Sequence, residues 1–163
     1  CEYPGSGAIG ITHGTLLAQA KVYAVDISPS ALEVAAINCQ RYNTRNQVEL
    51  LLGNMVEPLP EPVDLIVANL PYIRDSEAEG LRAEIRMFEP KLALTGGENG
   101  LDEVCQLLSQ AGGKLRQKGL ILLELGEGQA QETTSLAKRY FPSSILVLVP
   151  DLVGIDRVLK IAS

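Results

Sequence analysis

Short apolar runs that end in polar residues, separated by stretches of helical periodicity, restrict this chain to few folds. Lys21-Val22-Tyr23-Ala24-Val25-Asp26 reads as a strand from its β-branched and aromatic content, and it closes on an acid. Gln47-Val48-Glu49-Leu50-Leu51-Leu52 runs into Gly53-Asn54-Met55, and Val63-Asp64-Leu65-Ile66-Val67-Ala68 runs into Asn69. Leu120-Ile121-Leu122-Leu123-Glu124-Leu125 is apolar enough to be covered on both faces. Between these runs, Ser28-Pro29 offers an N-cap and a first-turn proline to a helix bearing Ala31, Leu32, Val34, Ala35, Ala36 and Ile37 toward Asn43. Val104, Leu107, Leu108, Ala111 and Leu115 predict a helix over 101–117, stopping near Lys118-Gly119, and two more are predicted over 9–19 and 129–140. Strands alternating with helices build parallel crossovers. The last two runs, 144–149 and 157–161, differ because residues 150–156 between them are too few for a crossover helix, so these strands pair antiparallel. The expected fold is α/β: a doubly wound, mostly parallel sheet with a C-terminal antiparallel hairpin.

At 163 residues, with 46% hydrophobic and 21% charged residues, the chain suits one globular domain spanning 1–163. Fourteen Lys and Arg against 20 Asp and Glu leave a net charge of -6, which argues against a broad nucleic-acid or anionic-membrane footprint. Three cysteines, Cys1, Cys39 and Cys105, have no paired spacing, so neither a disulfide framework nor a metal site is expected and a reducing, cytoplasmic setting follows. No apolar run approaches the roughly 20 residues that span a bilayer. The proline-rich stretch 57–62 can be neither helix nor central strand and serves as a spacer. Residues 76–87 carry a narrow apolar stripe and read as a short helix in a lid or loop region, and 95–100 are too rich in glycine for regular structure.

Two places carry candidate chemistry. In Tyr3-Pro4-Gly5-Ser6-Gly7, ahead of the first predicted helix, glycines allow close backbone approach to a ligand and the helix start presents unpaired N–H groups. Asp26 stands 19 residues beyond Gly7, and α/β folds that bind nucleotides place a ribose-binding carboxylate about 20 residues past such a loop. Asn54 is either an adenine contact or an ordinary turn residue. The second place is Asn69-Leu70-Pro71-Tyr72, at a strand's carboxyl end, where open α/β sheets bind ligands. Pro71 holds Leu70 extended. The Asn69 side-chain oxygen and the Leu70 carbonyl then form an acceptor pair suited to a planar NH2 group, with the Tyr72 ring as a flat neighbour. The plainer reading of these four residues is a strand-end turn. His13, inside the first helix, reads as structural.

The glycine loop, the acid ending a strand, Asn-x-Pro-Tyr and the closing hairpin together resemble a class I, Rossmann-like S-adenosylmethionine-dependent methyltransferase. Val67 to Ile73, Arg86-Met87-Phe88-Glu89-Pro90, Ala93-Leu94, Gly100-Leu101-Asp102, Leu123-Glu124-Leu125-Gly126 and Asp156-Arg157-Val158 narrow the likeness to the HemK-type glutamine methyltransferases that modify peptide-chain release factors. The resemblance implies methyl transfer from S-adenosylmethionine to the side-chain amide nitrogen of a glutamine in a Gly-Gly-Gln loop. Tyr3, Pro4, Gly5, Ser6 and Gly7 would line the methionine part of the cofactor, Asp26 would hold its ribose and Met55 contact its adenine, with Ile27, Asn54 and Asn69 also in the cofactor site. Asn69, Leu70, Pro71 and Tyr72 would form the catalytic acceptor site. The implied partner is a release factor; no membrane partner is expected, and the net charge weighs against nucleic acid.

This chain departs from the family pattern in its first loop, which carries Cys1 and Tyr3 where the family has an acid and a further glycine, and at Leu70, where the family has proline. The first strand of the fold is expected to be truncated here, and the family's N-terminal helical domain to lie outside this chain. Two other readings stand beside the first. Asn-Leu-Pro-Tyr also resembles the ribosomal RNA adenine dimethyltransferases, which act on an adenine amino group of the same shape, so an adenine-N6 methyltransferase acting on RNA or DNA is one alternative. A non-catalytic binding domain of the same fold, favoured by Cys1 to Pro4, is the other.

Overall fold

The computed structural model describes residues 6–17, 19–78 and 95–163. Tyr3, Pro4 and Gly5 of the first loop, and the motif residues 86–90 and 93–94, lie outside the described residues. In chain order the elements are α1 (Ala8–Leu16), β1 (Val22–Asp26), α2 (Pro29–Arg41), β2 (Val48–Leu52), β3 (Val63–Ala68), the single turn α3 (Asp75–Ala78), α4 (Asp102–Ala111), β4 (Leu115–Glu124), α5 (Ala130–Tyr140), β5 (Ile145–Pro150) and β6 (Asp156–Ala162). The chain divides into two compact units, Cys1–Pro62 and Val63–Ser163.

In the first unit, β1 and β2 pair in parallel from Val22↔Val48 to Asp26↔Leu52. The crossover between them is α2, started as its sequence dictates: the Ser28 hydroxyl accepts the Ala31 N–H at 3.3 Å, and Pro29 occupies the first turn. Its end comes at Arg41, before Asn43, which adopts φ 56°. Helix α1 lies close on the strands because Gly10 and Gly14 face them. A Cβ at Gly14 would come within 2.9 Å of Val48 Cγ2, and one at Gly10 within 3.5 Å of the Ala24 methyl. Gly14 thus sits over the start of β2 and Gly10 over the middle of β1, so the N-terminus of α1 is directed toward the carboxyl ends of the strands. Ile11, Ala24, Cys39 and Val48 form the buried cluster beneath, with Val22 and Leu50 packed against it.

In the second unit the strand order is β3-β4-β6-β5. Strands β3 and β4 are parallel, with α4 in the connection between them, and β6 is antiparallel to both β4 and β5. The expected α/β sheet with a closing antiparallel hairpin is the observed one. Leu107 and Leu108 of α4, Ile121 and Leu123 of β4, and Leu159 and Ile161 of β6 are fully buried, and each such side chain contributes about 1.5–3 kcal/mol over leaving it exposed. At the hairpin turn the Asp151 carboxylate accepts from the N–H groups of Val153 and Ile155 and from Arg157 Nε, at 3.0, 3.0 and 3.2 Å.

The helix expected over 101–117 is shorter. It ends at Ala111, and the chain enters β4 at Leu115. Gly112-Gly113 supplies the break, since glycine weakens a helix interior, and the apolar period at Leu115 belongs to the strand. The glycine expected to stop the helix has another use. Val63 pairs with Leu115 but Leu65 pairs with Leu120, so β4 holds extra residues at a bulge where Lys118 takes φ 61°. Of the helix expected over 76–87, the turn Asp75–Ala78 is described and the remainder lies outside. Among the described strands, β1 pairs with β2 alone and β3 with β4 alone.

Candidate functional site

In the first unit, Ser6 and Gly7 form the turn that enters α1. Gly7 has φ 82°, a left-handed conformation that side chains rarely adopt, and a Cβ there would come within 2.9 Å of Ile11 Cδ1 and 3.2 Å of the Ala35 methyl. No side chain caps α1, and the turn is pinned to α2 by Asn38 Nδ2 donating to the Ser6 carbonyl at 2.8 Å. At the carboxyl end of β1, Asp26 is 5% exposed and accepts the Ser28 N–H at 2.8 Å, which fixes its carboxylate beside the strand end. Its carbonyl accepts from the Gly53 N–H at 3.1 Å, drawing the loop after β2 to the same edge. Met55 of that loop is buried with φ 54°, Asn54 is half-buried, and Ile27 is exposed. A tight glycine turn at an uncapped helix start, a buried acid one strand over and an exposed apolar residue beside it fit the methionine, ribose and adenine parts of an adenosyl cofactor respectively. His13 Nδ1 lies 2.9 Å from the Ile9 carbonyl within α1, an intrahelical contact in keeping with a structural residue.

In the second unit the chain leaves β3 at Ala68 into Asn69-Leu70-Pro71-Tyr72. Asn69 is exposed, Leu70 is 2% exposed and Pro71 is buried, so the apolar side chains anchor the loop while the asparagine faces outward. Among the described residues none donates a hydrogen bond to the Asn69 side chain or to the Leu70 carbonyl. The Tyr72 carbonyl, by contrast, is occupied: Gln129 Nε2 donates to it at 2.9 Å. The same Nε2 donates to the Gly100 carbonyl at 3.2 Å, and the Gly126 N–H donates to Gln129 Oε1 at 3.0 Å. Ile73 and Thr95 form a parallel bridge, and the Gly96 N–H donates to the Ile73 carbonyl at 2.9 Å. The loop after β3 is therefore held by two others, the glycine-rich turn 95–100 and the turn after β4.

Known proteins bear on this arrangement. A protein of Gloeobacter violaceus named release factor glutamine methyltransferase is 41% identical over 155 residues, and one of the same name from Moorella thermoacetica is 43% identical over 154. Each match takes in 94% of this chain. The chain is homologous to the release factor glutamine methyltransferases. It spans about half of their length, 54% of each. The sequence model of the ribosomal protein L11 methyltransferase family matches residues 4–71. A methyltransferase of Pyrococcus furiosus superposes with a TM-score of 0.71 at 18% identity, covering 98% of this chain and 71% of that one. A structure from Streptococcus mutans solved in complex with SAH gives 0.63 at 14%, covering 97% and 83%. These superpositions place the fold among the class I methyltransferases, as the motifs imply.

Gln129 is the residue that sequence reasoning missed, and Gly100 and Gly126 entered it only as parts of the family motifs, with no contact assigned to them. Gly126-Glu127-Gly128-Gln129 lies between a strand and a helix, and a polar side chain one residue before a helix is most simply read as a cap. The structure shows no side-chain capping bond there, and the amide reaches away from the helix.

Proposed function

We propose that this chain is the catalytic part of a protein-(glutamine-N5) methyltransferase that transfers a methyl group from S-adenosylmethionine to the glutamine side chain in the Gly-Gly-Gln loop of peptide-chain release factors. The observation that carries the reading is the acceptor pair at the end of β3. An exposed Asn69 and a Leu70 carbonyl that accepts from no donor among the described residues stand on a loop whose Tyr72 carbonyl is already taken. A primary amide has two N–H hydrogens in one plane and needs two acceptors to fix it. The release factor glutamine methyltransferases, at 41% and 43% identity over nearly the whole chain, favour glutamine as the amide, and the L11 methyltransferase match is confined to residues 4–71. The net charge of -6 weighs against the nucleic-acid alternative, because such partners are gripped by Lys and Arg.

S-adenosylmethionine supplies a methyl group on a sulfonium sulfur. Ser6 and Gly7, with Tyr3, Pro4 and Gly5 before them, would hold its methionine part, Asp26 its ribose hydroxyls, and Ile27, Asn54 and Met55 its adenine. The chain's contribution to the reaction is orientation. An amide nitrogen is a poor nucleophile because its lone pair is delocalised into the carbonyl. Asn69 and Leu70, by accepting both N–H hydrogens, would fix the plane of the amide and the direction from which nitrogen meets the methyl group. Placement of this kind supplies several kcal/mol of a barrier. The amide nitrogen, made acidic as it takes up the methyl group that the bound cofactor would supply, would release one of its N–H protons to solvent water. Asn69 and Leu70 stabilise the N–H hydrogens as positive charge grows on them, which removes the need for a strong base. The reading places the protein in the cytoplasm, with its substrate.

The test is transfer of labelled methyl from S-adenosylmethionine to a release factor by the full-length protein. Label is expected on wild-type release factor and absent when the acceptor glutamine is changed to alanine; label retained on that variant overturns the reading. Asn69→Ala is expected to lower turnover at least about 100-fold while cofactor binding, measured by calorimetry, persists. Undiminished turnover in Asn69→Ala overturns the role given to it.

A further inference from the structure

Gln129 is 5% exposed and stands one residue before α5. Its amide is engaged on three sides, by the Tyr72 carbonyl at 2.9 Å, the Gly100 carbonyl at 3.2 Å and the Gly126 N–H at 3.0 Å. The partners dictate its orientation, since two carbonyls accept only from the NH2 side and the N–H donates only to the oxygen. The surroundings are shaped to it. A Cβ at Gly100, which has φ 71°, would collide with the Tyr72 carbonyl and with Gln129 Nε2, and one at Gly126 would lie 2.6 Å from Gln129 Oε1 and 2.8 Å from Tyr72 Cδ2. The Tyr72 ring therefore rests over the bare backbone of Gly126.

These contacts converge on the acceptor loop. A single residue, Pro71, lies between Leu70 and Tyr72, and its ring fixes its own φ. With β3 holding one end and Gln129 the other, the direction of the Leu70 carbonyl is set from both sides. Gln129 also occupies the Tyr72 carbonyl, so that this oxygen does not compete with Asn69 and Leu70 for an incoming NH2 group. We propose that Gln129 is a positioning residue for methyl transfer. It fixes the acceptor loop through the Tyr72 carbonyl and so acts on the substrate amide without touching it. This rests on the acceptor site assigned above.

The experiment compares two variants in the full-length protein, with labelled S-adenosylmethionine and a release factor as acceptor. Gln129→Met keeps the volume and removes all three hydrogen bonds. It is expected to lower kcat/KM for the release factor about 100-fold, as misplacement of a reacting group by about 1 Å does, while the Kd for S-adenosylmethionine is unchanged. Gln129→Glu keeps an acceptor for Gly126 but sets a carboxylate against two carbonyls. Its activity is expected to rise relative to wild type as the pH is lowered, because the neutral acid regains a donor. Acceptor kinetics in Gln129→Met equal to wild type overturn the proposal, as does equal weakening of cofactor binding and acceptor use, which marks a general structural role. Should the methionine variant not fold, a Gln129→Glu profile parallel to wild type overturns it. A wild-type protein that transfers nothing to the release factor overturns the acceptor assignment and this proposal together, and that result is seen before any variant is made.

Discussion

Asn69, Leu70 and Pro71 stood out in the sequence one by one because each carries its own chemistry: an amide with an oxygen to offer, a carbonyl, and a ring that restricts its neighbour. In the structure Asn69 is exposed and Leu70 and Pro71 are buried. Asp26 was legible for a similar reason, since an acid at the end of an apolar strand has little use in a core unless something polar meets it. Gly100 was not. In the sequence it is one glycine among several between 95 and 100, and only the Tyr72 carbonyl and the Gln129 amide packed against it explain why a side chain is excluded. Gly100→Ala is expected to destabilise the protein by at least about 1–3 kcal/mol, the cost of a non-glycine residue held in a left-handed conformation. A thermal melt checks this, and an unchanged melting temperature would mean that the loop has room to relax.

Helix α2 and the β5–β6 hairpin match their sequence signals closely, because caps, prolines and short connections act over a few residues. Helix α4 and strand β4 show what such signals omit. The apolar residues from Val104 to Leu115 keep a helical spacing, yet the chain turns at Gly112 and is extended by Leu115, which pairs with Val63. The Val63 N–H donates to the Lys114 carbonyl at 2.8 Å, so a strand 52 residues earlier in the sequence recruits this segment. The price of that pairing is the bulge, where Lys118 sits at φ 61° although a left-handed conformation costs an ordinary residue about 1–2 kcal/mol. Lys118→Gly is accordingly expected to raise stability by up to about 1 kcal/mol, the relief being partly offset by glycine's greater freedom in the unfolded chain. Equilibrium denaturation measures it, and a loss of stability would show that the lysine side chain holds the bulge.

Across the chain, charge is predominantly negative at neutral pH, and the acid limit of stability is set by carboxylates that gain partners on folding. Asp151 is one. Hydrogen bonds from the Ile155 and Val153 N–H groups and from Arg157 hold its carboxyl below the usual 3.8, against the opposing effect of partial burial. A lowered folded-state value contributes stability that is present in full above the ordinary value and is lost as the pH falls through the folded one. Wild type is therefore expected to lose part of its hairpin stability below about pH 4, and Asp151→Asn, with no charge to lose, to show a flatter dependence over the same range. Melts between pH 3 and 6 separate the two, and parallel curves would remove Asp151 from the account. No helix among the described residues is long and apolar enough to cross a membrane. The alternation of strands and helices, the reversed final strand and the place of Asn69-Leu70-Pro71-Tyr72 at the end of β3 were readable from the sequence, because each is a property of a short segment and the period of its backbone shows in its side chains. Where α4 stops, why Lys118 is strained and what holds the loop after β3 were set by tertiary contacts. Gln129 lies 57 residues from Tyr72 and 29 from Gly100, and hydrogen bonds across such separations depend on which loops the sheet brings side by side.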